Sequence, residues 1–175
     1  MSALERPSEI VLLASFDAAG RAEAAARALL HGGLDAHHVA LLARDTWGTA
    51  FPAVPHSVVL KLPGLGQLLT RGALAVELGT AMADASGHER LGAALRRLGL
   101  SIAEVPRLAR ALRANRILVL AAVSSREAFL WGRLLHSAGA VFLSARPRLG
   151  PWSPDPTRAA RRRPGHHAVR GRTAS

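Results

Sequence analysis

Two segments that lie far apart in the sequence have the same strand-helix-strand pattern, and this repetition limits the fold most strongly. The segment 9–44 contains an apolar run, a helical stretch that stops at Gly32-Gly33, and a second apolar run. The segment 117–146 repeats this order, and its helical stretch stops at Gly139. Such apolar runs are typical of buried strands, and glycine commonly follows the last helical residue. The pattern indicates an internal β-α-β duplication; the alternative is a chance likeness between two amphipathic helices flanked by strands.

Two β-α-β halves of this size commonly combine in a ferredoxin-like sheet, in which the first strand of each half is central and the second lies at an edge. The first strands, 10–16 and 117–123, are apolar on both alternating faces, as expected of strands covered on both sides. The shorter second strands end in Arg44 and Arg146, which suits an edge. We therefore predict an α+β fold with a ferredoxin-like sheet, and we expect Asp17 to cap the first helix.

The segment between the halves is predicted to be a helical insert, 57–113. Apolar residues recur there at helical spacing, and Ser101 with Glu104 has the spacing of a capping box. The helices of the two halves can cover only one face of the sheet, so the other face needs a cover. If the insert does not reach it, self-association through the open face is the alternative. The insert residues expected to pack on that face are Leu68, Leu74, Leu91, Leu95, Val105, Leu108 and Leu112.

Composition divides the chain into one domain, 1–146, and a basic tail, 147–175. The tail has proline and arginine in place of an apolar period, so it is predicted to be disordered. The formal net charge of the chain is +11, and from Arg146 to Ser175 eight arginines against Asp155 give +7, which leaves +4 for the rest. These arginines are expected to bind nucleic acid through charge alone. The candidate nucleic-acid-binding residues are Arg158, Arg161, Arg162, Arg163, Arg170 and Arg172.

The sequence has no signature of a catalytic or metal site. The absence of cysteine excludes disulfides and thiolate chemistry and indicates a reducing compartment. The adjacent His37 and His38 would point to opposite faces of a strand, and Gly87 interrupts the helix that would join Asp84 to His88. There is no G-x-S-x-G nucleophile elbow and no P-loop. We expect no enzyme activity, no cofactor and no metal; a small enzyme with an unrecognised site is the alternative.

Targeting and membrane segments are also not predicted. The N-terminal residues have neither the basic start nor the long apolar stretch of a signal peptide. The most apolar region, 58–83, is interrupted by Lys61, Pro63, Arg71 and Glu77, whereas a spanning helix has about 20 residues with few charges. We therefore expect a cytoplasmic protein that does not enter the membrane.

Three short motifs carry a resemblance to a known family. They are Phe16-Asp17 followed by 22–25, the segment 62–66 leading to 72–75, and 98–104. Over about 9–140, the chain resembles the bacterial general stress protein 17M-type family, also called heat-induced stress proteins. It departs from the family in a shorter, more charged middle and in Ala114-Asn115, which replaces a glycine. The resemblance implies a stress-associated bacterial protein of unknown biochemical activity, with no catalytic residues to carry over.

Together these observations predict a non-enzymatic stress-associated domain that acts through protein association. The partner, another protein or a second copy of the chain, is expected on the open sheet face. The alternative is a polyanion-binding or nucleic-acid-binding accessory protein that works through its arginine-rich tail. Such binding would have no sequence preference, because the central strands lack the aromatic residues on which RNA-recognition modules stack bases. Codon usage in a GC-rich genome is a competing explanation for the arginine content.

Overall fold

The computed structural model has an α+β fold built on a six-stranded antiparallel sheet. It describes residues 9–44, 46, 54, 57–62, 64–73, 75–76, 92–93, 95–96 and 100–147. The strands are β1 (Glu9–Phe16), β2 (Val39–Arg44), β3 (Ser57–Leu62), β4 (Gly66–Gly72), β5 (Ile117–Ser124) and β6 (Phe142–Pro147). The long helices in this part of the chain are α1 (Ala19–His31), α2 (Val105–Arg113) and α3 (Ala128–Ser137), and 3-10 turns lie at Ala36–His38 and Ile102–Glu104. Both predicted β-α-β halves are present.

The strand order is β3-β4-β2-β5-β1-β6, and every neighbouring pair is antiparallel. The prediction that β1 and β5 are central is confirmed, because they pair with each other along their whole length and each has a second neighbour. The prediction that β6 is an edge strand is also confirmed. The prediction that β2 is an edge strand is wrong, because β4 pairs with it from Ala40 opposite Gly72 to Arg44 opposite Leu68.

The predicted helical insert, 57–113, is wrong over its first part. Residues 57–72 form the β3-β4 hairpin, which extends the sheet beyond β2. β-Branched Val58 and Val59 favour a strand, and the free edge of β2 supplies backbone partners for β4. The last helix of the insert, α2, is confirmed. The six-stranded order therefore differs from the four-stranded order of the predicted ferredoxin-like sheet.

Both faces of the sheet are covered by other parts of the chain. Leu12, Ala14 and Phe16 of β1 pack with α1 and α3 on one face. Val11 and Leu13 pack on the other face with α2 and with residues of the hairpin. The second face is thus covered from within, and it does not supply the open contact surface expected for a partner. Of the predicted covering residues, Leu68, Leu95, Leu108 and Leu112 are buried there, Val105 is partly buried, and Leu74 and Leu91 lie outside the described residues.

Two predicted helix starts differ from the structure. The N-cap of α1 is Ala18, whose backbone is extended, and the Asp17 carboxylate instead accepts a hydrogen bond from Arg21 at 3.2 Å. The chain needs both residues to turn from β1 into α1, so Asp17 lies one position too early to cap. The capping box is also absent, because α2 follows a 3-10 turn and the Glu104 carboxylate faces Arg146.

Candidate functional site

Strand β6 forms one edge of the sheet. It pairs with β1 from Ile10 opposite Pro147 to Ser15 opposite Phe142, and no described strand pairs with its other side. In an edge strand every second residue directs its backbone N–H and C=O groups away from the sheet. Pro147 has no N–H and ends the strand. β6 therefore offers a short line of backbone donors and acceptors to another extended segment.

A shallow groove of about 380 Å³ lies beside this edge, between α3 and β6. Its floor contains Leu12 of β1 together with Leu143 and Ala145, which alternate along β6 and so face the same side. Gly132 brings α3 close to the strand, because a Cβ at this position would lie 3.6 Å from Cδ2 of Leu143. The floor is therefore apolar and continuous with the core beneath α3.

The outer side of α3 forms the rim of this groove. Phe129, Arg133 and His136 line it, and their spacing of four and three residues places them along one side of the helix. The Phe129 side chain is 76% exposed, that of the adjacent Leu130 is 63% exposed, and the Arg133 guanidinium lies 6.0 Å from the Phe129 ring centroid. This separation is within the range of cation–π attraction. The rim thus places the exposed Phe129 ring beside Arg133 and His136, and the exposed Leu130 is the next residue of the helix after Phe129.

The opposite face of β6 is occupied by an internal ion pair. Arg146 Nε donates to Glu104 Oε1 at 3.0 Å, and the Glu104 side chain is only 8% exposed. Three oxygens in this area, Glu104 Oε2, Ser15 Oγ and Ser144 Oγ, are buried without a hydrogen-bond partner. The ion pair fastens the start of α2 to β6, so the accessible apolar side of this edge is the groove on the α3 side.

The structure describes only two of the residues that the sequence analysis considered for binding or metal coordination, His37 and His38. The six arginines of the tail lie outside the described residues, as do Asp84 and His88. His37 and His38 lie in the 3-10 turn before β2, where the His37 N–H donates to Asp35 Oδ1 at 2.9 Å. Within the described residues, no three His, Asp or Glu side chains are grouped so that they could hold a metal ion.

Sequence reasoning missed the groove, although one signal was available. The inward stripe of α3 contains Trp131 and Leu135, both buried, and Phe129 and Leu130 fall outside that stripe. Large apolar residues on the outward side of a helix indicate a contact surface. The position of β6 beside them depends on the sheet order, which the sequence pattern does not contain.

The comparisons with known proteins do not identify a relative. The chain matches no protein-family model, no curated protein and no solved structure with statistical significance. Among the described residues, no helix has both the length and the apolar character needed to cross a membrane.

Proposed function

We propose that this protein is a non-enzymatic association domain that binds another protein through the groove between α3 and β6. The observation that carries the proposal is the exposure of Phe129 and Leu130 beside an edge strand. Single exposed apolar residues are common on protein surfaces, but adjacent large ones next to an apolar groove mark interaction sites. Aromatic residues and arginine, here Phe129 and Arg133, are also enriched in protein interfaces.

The ionisable groups of the groove support a contact surface better than a catalytic site. Arg133 and His136 are both exposed on the rim, and the floor between them and β6 is apolar. A histidine that acts as acid, base or nucleophile is commonly oriented by a second polar group, and the described residues that line the groove beside His136 are apolar apart from Arg133. An apolar floor bordered by Arg133 and His136 instead resembles the polar border and apolar centre of a protein interface.

Site-specific cross-linking tests this proposal. The photoreactive residue p-benzoylphenylalanine is placed at Phe129 and, as a matched control, at Val59, which is 53% exposed on the opposite edge strand β3. We expect irradiation in cells to join a defined partner to position 129 and not to position 59. The purified partner should then bind a Leu130→Glu variant at least about tenfold more weakly than the original chain. Equal cross-linking at both positions, or at neither, would contradict the proposal.

Three finer properties are proposals of the same kind. We propose that β1, β2, β5 and β6 with α1 and α3 are a ferredoxin-like unit that has gained the β3-β4 hairpin; the local order β2-β5-β1-β6 and its antiparallel pairing support this.

A bacterial stress association is supported by the motif resemblance, and a comparison of protein abundance before and after heat shock tests it. A cytoplasmic location is supported by the absence of cysteine.

A second candidate function is binding of nucleic acid or another polyanion by the tail. The observation in its favour is the concentration of charge, +7 from Arg146 to Ser175 out of +11 for the chain. Charge of this density attracts phosphate backbones without sequence preference. This function would use a different part of the chain from the groove, so the two proposals are independent.

A further inference from the structure

We infer that the groove takes an extended segment of the partner protein, which adds to β6 as a further strand. On the groove side this segment carries apolar residues followed by acidic residues at alternate positions. The inference rests on the proposed function and specifies the chemistry of the partner. Its three parts, the strand, the apolar residues and the acidic residues, are each supported by a different observation.

The strand is inferred from the backbone of β6. An extended peptide that pairs with a sheet edge gains main-chain hydrogen bonds without any requirement on its sequence. β6 has six residues, Phe142–Pro147, and its last residue lacks an N–H group. Pairing therefore extends over about five residues, which is the usual length of a strand in proteins. The internal ion pair between Arg146 and Glu104 holds β6 in place, and no described strand pairs with its outer side.

The apolar residues are inferred from the direction of the side chains. Leu143 and Ala145 of β6 line the groove, and residues directly opposite them on an added strand would face the same side. Those residues would contact the floor and the exposed ring of Phe129. Covering this ring removes apolar surface from water, which stabilises the complex.

The acidic residues are inferred from charge complementarity. Among the described residues, Arg133 has the Phe129 ring as its neighbour and no carboxylate as a partner, and His136 lies about one turn further along the same rim. The carboxylate at the start of α3, Glu127, accepts a hydrogen bond from Ser124 Oγ at 2.7 Å. A carboxylate on the added strand would form a charge-assisted pair with Arg133.

The same charge argues against two other occupants. A second copy of the chain would bring a second Arg133 guanidinium to the interface, which adds like charge. The segment 148–175 contains seven arginines against Asp155, so it is also cationic. Neither provides the negative charge that the rim requires.

Two labelled peptides test the inference on the purified full-length chain. The first peptide has both ends capped and the sequence Thr-Val-Thr-Ile-Thr-Asp-Thr-Asp, so that the apolar and acidic residues lie on one face of an extended strand. The second peptide has lysine in place of both aspartates. By fluorescence anisotropy we expect the aspartate peptide to bind at least about tenfold more tightly than the lysine peptide. Arg133→Glu should reverse this preference. Arg110→Glu, at an exposed position of α2, is the matched control and should not change it.

Two N-methylated forms of the aspartate peptide test the added strand itself. In one form the methylated amides are those that would face β6, and this peptide should lose binding. In the other form the methylated amides are those that would face away, and this peptide should keep binding. Equal binding of the two labelled peptides, an unchanged preference in Arg133→Glu, or full binding of both methylated forms would overturn the inference. A stable dimer that Phe129→Glu abolishes would also overturn it. If the peptides fail while cross-linking at position 129 still captures a partner, only the further inference fails and the association function stands.

Discussion

At the scale of single residues, Gly72 is the described glycine at which an added side chain would meet the closest backbone contact. It ends β4 with φ of 69°, a left-handed conformation, and an added Cβ would overlap the carbonyl oxygen of Val39 and lie 2.9 Å from Cγ1 of Val54. Val39 begins β2 and the Val54 side chain is buried in the core, so neither can move freely. We expect Gly72→Ala to lower the free energy of unfolding by about 2–4 kcal/mol.

Urea denaturation measures this effect, with Gly64→Ala as the matched control. Gly64 also has a left-handed φ of 75°, but no atom lies within 4 Å of an added Cβ. Its substitution therefore carries only the conformational cost, about 1 kcal/mol. Equal losses in the two variants would mean that the close approach of β4 to Val39 does not exist in solution.

Asp17 illustrates how a correct local rule selects the wrong residue. The sequence pattern placed the cap directly after the apolar strand, but the structure uses Asp17 and Ala18 to turn and begins α1 at Ala19. The carboxylate pairs with Arg21 at 3.2 Å, and both side chains are more than half exposed. Such pairs contribute little. Asp17→Ala should change the free energy of unfolding, measured by urea denaturation, by less than about 0.5 kcal/mol. A loss above about 1 kcal/mol would indicate that Asp17 caps the helix after all.

At the scale of elements, long apolar runs and a clear helical stripe could be predicted from the sequence, and a short strand that is buried on both faces could not. β1 and β5 were recognisable from continuous apolar runs, and α2 from its stripe of Leu108 and Leu112. The sequence predicts a helix over β4 because its apolar run, Leu68-Leu69, is too short to indicate a buried strand; in the structure Leu68 and Leu69 are buried on opposite faces of the sheet. Burial on both faces removes the alternation that identifies a strand.

Helix α2 provides a direct test of how the second face of the sheet is covered. Leu108 is 2% exposed and packs in the cluster that contains Val11 and Leu13. We expect Leu108→Ala to lower the free energy of unfolding by about 2–5 kcal/mol, because the sheet cannot close the resulting cavity. Arg110→Ala, at an exposed position of the same helix, should cost less than about 0.5 kcal/mol. If the two variants unfolded at the same urea concentration, α2 would not lie on the sheet.

An ion pair between Glu104, at the start of α2, and Arg146 joins this helix to β6. Glu104 is nearly buried while the Arg146 side chain is half exposed, so Arg146→Met leaves a carboxylate without its partner. We expect this change to lower the free energy of unfolding by about 1–2 kcal/mol after allowance for solvent screening. The double variant with Glu104→Gln should recover part of the loss in a double-mutant cycle by urea denaturation. A cycle with no coupling would show that the two residues do not interact.

At the scale of the whole molecule, the basic tail and the folded domain should act separately. Deleting 148–175 removes seven arginines and should abolish salt-sensitive, sequence-independent binding to DNA or RNA in gel shifts at low salt. The truncated chain should keep the circular dichroism spectrum and thermal midpoint of the original, since the described sheet ends at Pro147. Undiminished binding by the truncated chain would place the contact on the folded domain.

The candidate site belongs to this scale, and for that reason the sequence did not reveal it. The outward residues Phe129 and Leu130 could be recognised from the helical period of α3, but the adjacent edge exists only because β6 pairs with β1 and the hairpin lies at the other end of the sheet. The arginines that composition emphasised, from Arg158 to Arg172, lie outside the described residues. Composition identifies charge, whereas the groove arises from the order of the strands.

The pairing of β1 has a consequence for the synthesis of the chain. Among the described strands, β1 pairs only with β5 and β6, which begin roughly a hundred residues later, whereas β3 can pair with β4 as soon as both have been made. At about 5–20 residues per second, the ribosome takes roughly 5–20 s to supply β5 after β1 has emerged. During this time β1 can pack on α1, which follows it directly, but it has no native strand partner, and an unpaired strand edge favours aggregation. Among the described strands, β1 is therefore the one whose native pairing waits longest for the rest of the chain.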